Sequence, residues 1–174
     1  MIILTEKPSV AKDFASALGC SYSAKDKCYK SSDGKTTIAN CVGHLFNLAE
    51  PAAYNPSFKN WKNLPVIPEE FIYEPSEKLK EVAKNVVSLL KQHKNDEILI
   101  ATDADREGEI IARECLNAAG ITDYDNIRRF WVSQALTKDV ILDGIKNARP
   151  ISDYDFFAKQ GFARQKADWL IGMN

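Results

Sequence analysis

The amino-acid sequence predicts an α/β domain with a mainly parallel sheet flanked by helices, and one further helix at the C-terminal end. Three observations predict it. Ile2–Leu4, Glu97–Thr102 and Ile127–Val132 have the length and composition of short buried strands. Each is followed by a polar turn and then by apolar residues at helical spacing, the order that builds parallel strand–helix–strand units. The chain has 174 residues, 45% hydrophobic and 27% charged, enough for one well-filled core and too apolar for wholesale disorder.

In chain order, Ile2-Ile3-Leu4 stops at Glu6-Lys7-Pro8-Ser9, and Val10, Phe14, Ala17 and Leu18 then mark a helix that Gly19 closes. Residues 28–42 have the pattern of a hairpin with Asp33-Gly34 at its tip. The stretch from Gly43 to Pro75 holds five of the seven prolines and is expected as a long ordered excursion over the surface. From Ser76, Leu79, Val82, Ala83, Val86, Val87 and Leu90 line one face of an amphipathic helix. After the strand at 97–102, Ile110, Ile111 and Leu116 mark the next helix, with Gly120 near its end. Thr137 is placed to cap a helix bearing Val140, Ile141 and Ile145. Beyond Pro150 the pattern changes: Ser152 with Asp155 reads as a capping box opening a long helix through Phe156, Phe157, Ala163, Ala167 and Leu170. The expected organisation is a domain over 1–150, with the loop 43–75 inside it, and the truncated start of an adjoining domain over 151–174.

Composition excludes several function classes. Twenty-three basic against 24 acidic residues leave a net charge of −1, which excludes a polybasic binder while allowing a local basic patch. No apolar run approaches the roughly 20 residues of a membrane helix, and the first residues lack the form of a signal peptide. A cytoplasmic protein without a membrane partner is expected. Cys20, Cys28, Cys41 and Cys115 lack the spacing of a zinc site and read as reduced, mostly buried thiols.

The chemistry concentrates in Asp103-Ala104-Asp105-Arg106-Glu107-Gly108-Glu109, four carboxylates at alternate positions where a buried strand gives way to a helix. In extended chain, alternate residues share a face, so Asp103 and Asp105 can point together. Carboxylates packed that closely repel unless a cation neutralises them, and hard oxygen ligands with room for water suit Mg²⁺. Helix-dipole preference would account for Glu107 and Glu109, but not for the two aspartates before the helix, nor for Gly108. Ligands of open parallel sheets bind at the carboxyl ends of the strands. Glu6-Lys7 ends the first strand and Asp103 the second, so the two groups should converge, with Lys7 supplying a positive charge for a phosphate beside the metal. Metal-assisted phosphoryl or phosphodiester transfer is the chemistry this permits.

These residues carry a resemblance. Thr5-Glu6-Lys7-Pro8-Ser9, Gly43-His44-Leu45 and Asp103-x-Asp105-x-Glu107-Gly108-Glu109 together resemble the Toprim domain of type IA DNA topoisomerases, most closely the topoisomerase III branch. The match continues through Trp61, Leu64-Pro65 and Pro68, through Arg129–Ser133 and Leu136-Thr137, and into Ala163–Asn174. The resemblance implies a Rossmann-like Toprim fold. It implies that Asp103, Asp105 and Glu107 bind Mg²⁺, with Glu6 as an acid–base group that can help the metal and Lys7 steadying the scissile phosphate. Arg106 and His44 then fall in motifs lining the same cleft, and Arg164 and Asp168 match the start of a domain that helps form a single-strand groove.

The family breaks one DNA strand with a tyrosine, holds the 5′ end as a phosphotyrosine, and reseals it without ATP. None of the six tyrosines here lies in a motif like the family's nucleophile region. The expectation is therefore an N-terminal fragment, inactive alone, that binds single-stranded DNA and works with the remaining domains of its polypeptide and a helicase partner. A Toprim nuclease or primase-like enzyme is the alternative. A non-catalytic binding module is disfavoured, because binding alone would not require so costly an acidic cluster.

Other candidates have plainer readings. His93 reads as a helix C-terminal dipole partner, Trp131 as core, and Arg128-Arg129 as solvated. Arg164 and Asp168, four apart, read as a surface pair worth a few tenths of a kcal/mol. Trp61 is the one tryptophan singled out for stacking on bases.

Overall fold

The computed structural model describes the backbone of residues 1–174 and every side chain but that of Trp61, so the expectation attached to that ring lies outside the described residues. The first unit is β1 (Ile2–Thr5) and α1 (Pro8–Leu18). Pro8 starts the helix where a missing N–H costs nothing, and Gly19 ends it at φ 67°, in the left-handed region glycine favours. A meander follows: β2 (Ser21–Ser23), β3 (Cys28–Lys30) and β4 (Thr37–Asn40). The expected hairpin is β3–β4; the short strand β2 that extends it was not anticipated.

The proline-rich excursion is more structured than a loop. It contains β5 (Phe46–Leu48), the short α2 (Pro51–Tyr54), two 3₁₀ turns and β6 (Tyr73–Pro75), and β5 and β6 pair antiparallel as a separate two-stranded sheet. Then come α3 (Lys80–Gln92), β7 (Ile98–Ala101), α4 (Arg106–Ala118), β8 (Ile127–Arg129), α5 (Lys138–Lys146), β9 (Arg149–Pro150) and α6 (Asp155–Met173). Thr137 caps α5 by accepting from Val140 N, as expected. The capping box at Ser152 is absent: a 3₁₀ turn over Ile151–Tyr154 leads directly into α6, and the Asp155 carboxylate accepts instead from Arg113.

The main sheet runs β2-β3-β4-β1-β7-β8-β9, with β4, β1, β7 and β8 parallel at its centre and antiparallel strands at both edges. Every residue of β1 and β7 is buried, because helices cover both faces. On one face Ile2, Leu4, Ile98 and Ile100 pack against α3 and α4; on the other Ile3, Ile38 and Leu99 pack against α1 and α5. The third strand ends at Arg129, earlier than expected. Trp131 is thus half-buried beyond the strand, stacked on Tyr154 at 4.6 Å between ring centroids. Trp169 is buried in α6 and donates its indole N–H to Ala49 O, which ties the last helix to the excursion. Gly161 lets α6 approach α4 closely, since a Cβ there would lie 2.5 Å from the Ile110 side chain. All four cysteines are free.

Candidate metal and phosphate site

β1 and β7 are neighbours in register Thr5↔Ala101, so the residues just past each strand emerge side by side at the carboxyl edge of the sheet. Glu6 there accepts from the backbone N–H of Asp103 at 3.1 Å. The Lys7 ammonium lies 2.6 Å from Asp103 Oδ2 and 3.5 Å from Glu6 Oε1. The convergence expected from the strand ends is present. The Asp103 hydrogen bond and the Glu6 charge together hold the Lys7 ammonium above its usual range. Both Lys7 and Asp103 are substantially exposed, so the pair contributes little to stability and is available for exchange.

The other acids of the run diverge. Asp105 is the N-cap of α4, its Oδ1 accepting from Gly108 N at 2.7 Å, because the first turn of a helix leaves N–H groups without partners. Glu107 is exposed on that first turn and meets His44 Nε2 at 3.2 Å. Gly108 is required by packing rather than by backbone angle: a Cβ on it would sit 2.2 Å from Asp103 O. Glu109 faces inward and is fully buried, accepting from Arg129 Nε at 2.8 Å and from Arg113 Nε at 3.0 Å.

Arg129 corrects the reading of Arg128-Arg129 as solvated. It is completely buried, and besides Glu109 it donates to the carbonyls of Thr102 and Phe130 at 2.8 Å and of Asp103 at 2.6 Å. Burial lowers its pKa, with Glu109 opposing the fall. Arg128 pairs with Glu97. Burial likewise works against the charge on Arg113, but Glu109 and Asp155 outweigh it and raise its pKa. The i,i+4 spacing of Glu109 and Arg113 was a legible signal for this knot. Nothing local in the sequence marks Arg129 as its other arm.

The ring of His44 lies between two carboxylates, with Nδ1 3.3 Å from the buried Glu114 and Nε2 facing Glu107. The hydrogen bond to Glu114 raises its pKa, against the opposing effect of burial. Glu114 was missed in the sequence, since a charged residue mid-helix looks solvent-facing. His44, Glu107, Arg164, Gln165 and Asp168 line a cavity of about 280 Å³, which places the middle of α6 beside the acidic run. Arg164 and Asp168 also form the expected exposed i,i+4 pair at 3.5 Å. Arg106 is exposed on the first turn of α4. His93 closes α3 and bonds Asp96, consistent with a helix-end role.

The donors suit Mg²⁺ in kind, being hard carboxylate oxygens at one sheet edge, and an ammonium already occupies the position between two of them. Among the described residues, no three His, Cys, Asp or Glu side chains are gathered as a ligand cage. Asp103, Asp105 and Glu107 are instead engaged with Lys7, the helix cap and His44. Among them, no helix is long and apolar enough to cross a membrane.

A strand-end acidic cluster on a parallel α/β sheet defines a class, and the family model for the Toprim domain matches residues 1–135. The chain belongs to the Toprim family. Among its relatives, it is 38% identical over 176 residues to DNA topoisomerase 3 of Staphylococcus epidermidis, covering 99% of this chain and 24% of that protein. DNA topoisomerase 3 of Bacillus licheniformis is 34% identical over 180 residues, with 99% and 23% covered. The chain therefore spans about a quarter of the length of these relatives. Among solved structures, full-length topoisomerase I from Thermotoga maritima superposes with a TM-score of 0.55 at 25% identity, over 87% of this chain and 21% of that one.

Proposed function

We propose that this chain is the Mg²⁺-binding part of a type IA DNA topoisomerase of the topoisomerase III kind, which cuts and reseals one DNA strand through a 5′-phosphotyrosine without ATP. The observation that carries the reading is the Lys7 ammonium bridging Asp103 and Glu6 at the edge shared by β1 and β7. A bound Mg²⁺, held by Asp103, Asp105 and Glu107 with help from Glu6, would supply positive charge to the phosphate oxygens. With the metal bound, Asp103 would give up its pair with Lys7, and the ammonium would be free to hold the scissile phosphate. Glu6, most of it buried and anchored to Asp103 N, holds or returns a proton beside that phosphate. Arg106, His44 and Arg164 contact the single strand along the cavity beside Glu107. Residues from 151 onward belong to the adjoining domain, and the attacking tyrosine comes from elsewhere in the polypeptide. Resealing needs no ATP because the phosphotyrosine keeps the energy of the broken bond. The cytoplasm and a helicase partner complete the proposal.

The reading is tested with supercoiled DNA, Mg²⁺ and this chain alone. Neither relaxation nor a covalent adduct is expected, because stabilising charge on a phosphate does not supply an attacking oxygen. Anisotropy with a short single strand should show weak binding with a shallow salt slope, as befits few phosphate contacts, and further loss in Lys7→Ala. Metal-dependent nicking by the chain alone would favour the nuclease alternative instead.

A further inference from the structure

Beside the acidic run, a line of polar contacts extends from Glu107 through His44 and Glu114 to Gln165 on α6 and Tyr73 on β6. Glu107 Oε2 meets His44 Nε2 at 3.2 Å, and His44 Nδ1 meets Glu114 Oε2 at 3.3 Å. Gln165 on α6 donates from Nε2 to Glu114 Oε1 at 2.8 Å, and the Tyr73 hydroxyl on β6 donates to Gln165 Oε1 at 3.0 Å. The two ends differ sharply in exposure: the Glu107 side chain is 57% exposed and that of Glu114 is 2% exposed.

That contrast decides where the ring hydrogen goes. Water can solvate Glu107, whereas the buried Glu114 has lost water and depends on protein donors. Gln165 serves one of its oxygens, and the other is left to His44. Nδ1 therefore carries a hydrogen whether the ring is neutral or charged; Nε2 faces the cleft and donates to Glu107 when the ring carries its second hydrogen. Tyr73 donates to Gln165 and Gln165 to Glu114, so this relay of donors terminates on the one carboxylate. Burial pushes the Tyr73 hydroxyl up to about 12, in keeping with its place as a permanent donor.

We propose that Glu114 is a positioning residue: by holding Nδ1–H of His44 it aims Nε2 at Glu107, and through Gln165 it makes that aim depend on α6 lying in place. The imidazole that faces Glu107 is thus oriented by way of a helix that also bears Arg164 and Asp168. The orientation of the ring stands on the geometry alone; its bearing on metal affinity rests on the proposed role of Glu107.

The test uses ring nitrogen resonances of the ¹⁵N-labelled chain, which has only two histidines. In the wild type, long-range ¹H–¹⁵N spectra should show the hydrogen of His44 on Nδ1, in slow exchange with water. Glu114→Ala should lose this slow exchange and Glu114→Gln, whose amide oxygen can still accept, should keep it. Gln165→Ala should speed the exchange without abolishing the resonance. A wild-type ring with Nδ1 bare overturns the proposal without recourse to any variant, as does slow exchange that persists in Glu114→Ala. A Mg²⁺ titration of the same samples should show affinity about tenfold weaker in Glu114→Ala, the low end of what outer-shell partners cost. No Mg²⁺ binding by the wild type would remove the metal role of Glu107 and leave the ring result to decide the positioning.

Discussion

Two groups of carboxylates arise from the same seven-residue run, and they have opposite fates. Glu109 is buried and neutralised by the protein's own arginines, Arg129 and Arg113, which it joins to the carbonyls at the end of β7. Asp103 and Glu107 stay at the surface, paired with Lys7 and His44. A buried carboxylate between two fixed guanidinium groups is a structural joint, because removing either side strands a charge in the interior. An exposed carboxylate held by a mobile ammonium can exchange its partner at little cost. Composition is the same in both groups; burial and the kind of cation separate them.

The largest expected effect would break the buried side of this contrast. Arg129→Ala leaves Glu109 without one of its guanidinium partners and should cost about 3–5 kcal/mol. Thermal unfolding should then fall by on the order of 10 °C for a chain of this size. A loss of less than about 1 kcal/mol would mean the joint is not what holds β8 to α4.

Gly108→Ala tests the seam between the two groups. The added methyl would press on Asp103 O, costing about 1–3 kcal/mol of overpacking against about 1 kcal/mol gained in helix propensity. A net loss is expected in denaturant titration, and a stabilised variant would contradict the close approach. Asp105→Ala should cost less, about 1 kcal/mol, through loss of the α4 cap. Unchanged stability there would remove the capping role.

The smallest change in stability is expected at the exposed end. Asp103→Asn should alter unfolding in metal-free buffer by less than about 1 kcal/mol, since its pair with Lys7 is solvated. Its effect should appear when Mg²⁺ is added: binding to the native state raises the melting temperature of the wild type, and this rise should vanish in Asp103→Asn combined with Asp105→Asn. Equal rises in both proteins would show that the acidic run is not the binding site.

The sequence by itself determined the strand–helix alternation, the parallel core strands and the meeting of Glu6-Lys7 with Asp103, because periodicity and strand ends are local properties and the sheet rules place such ends on one edge. It also carried the family motifs along the chain. Only the tertiary structure decided which acids face water. Glu109 and Glu114 look like helix surface residues until α6, β8 and the excursion close over them, and Arg129 looks solvated until β8 pairs with β7 and brings it under the acidic run. Likewise Asp105 shares its spacing with Asp103, yet the unpaired N–H groups at the start of α4 capture one and not the other. For Glu109 and Glu114 the physical reason is the same: Arg129 and His44 come from 20 and 70 positions away, and no local pattern records them.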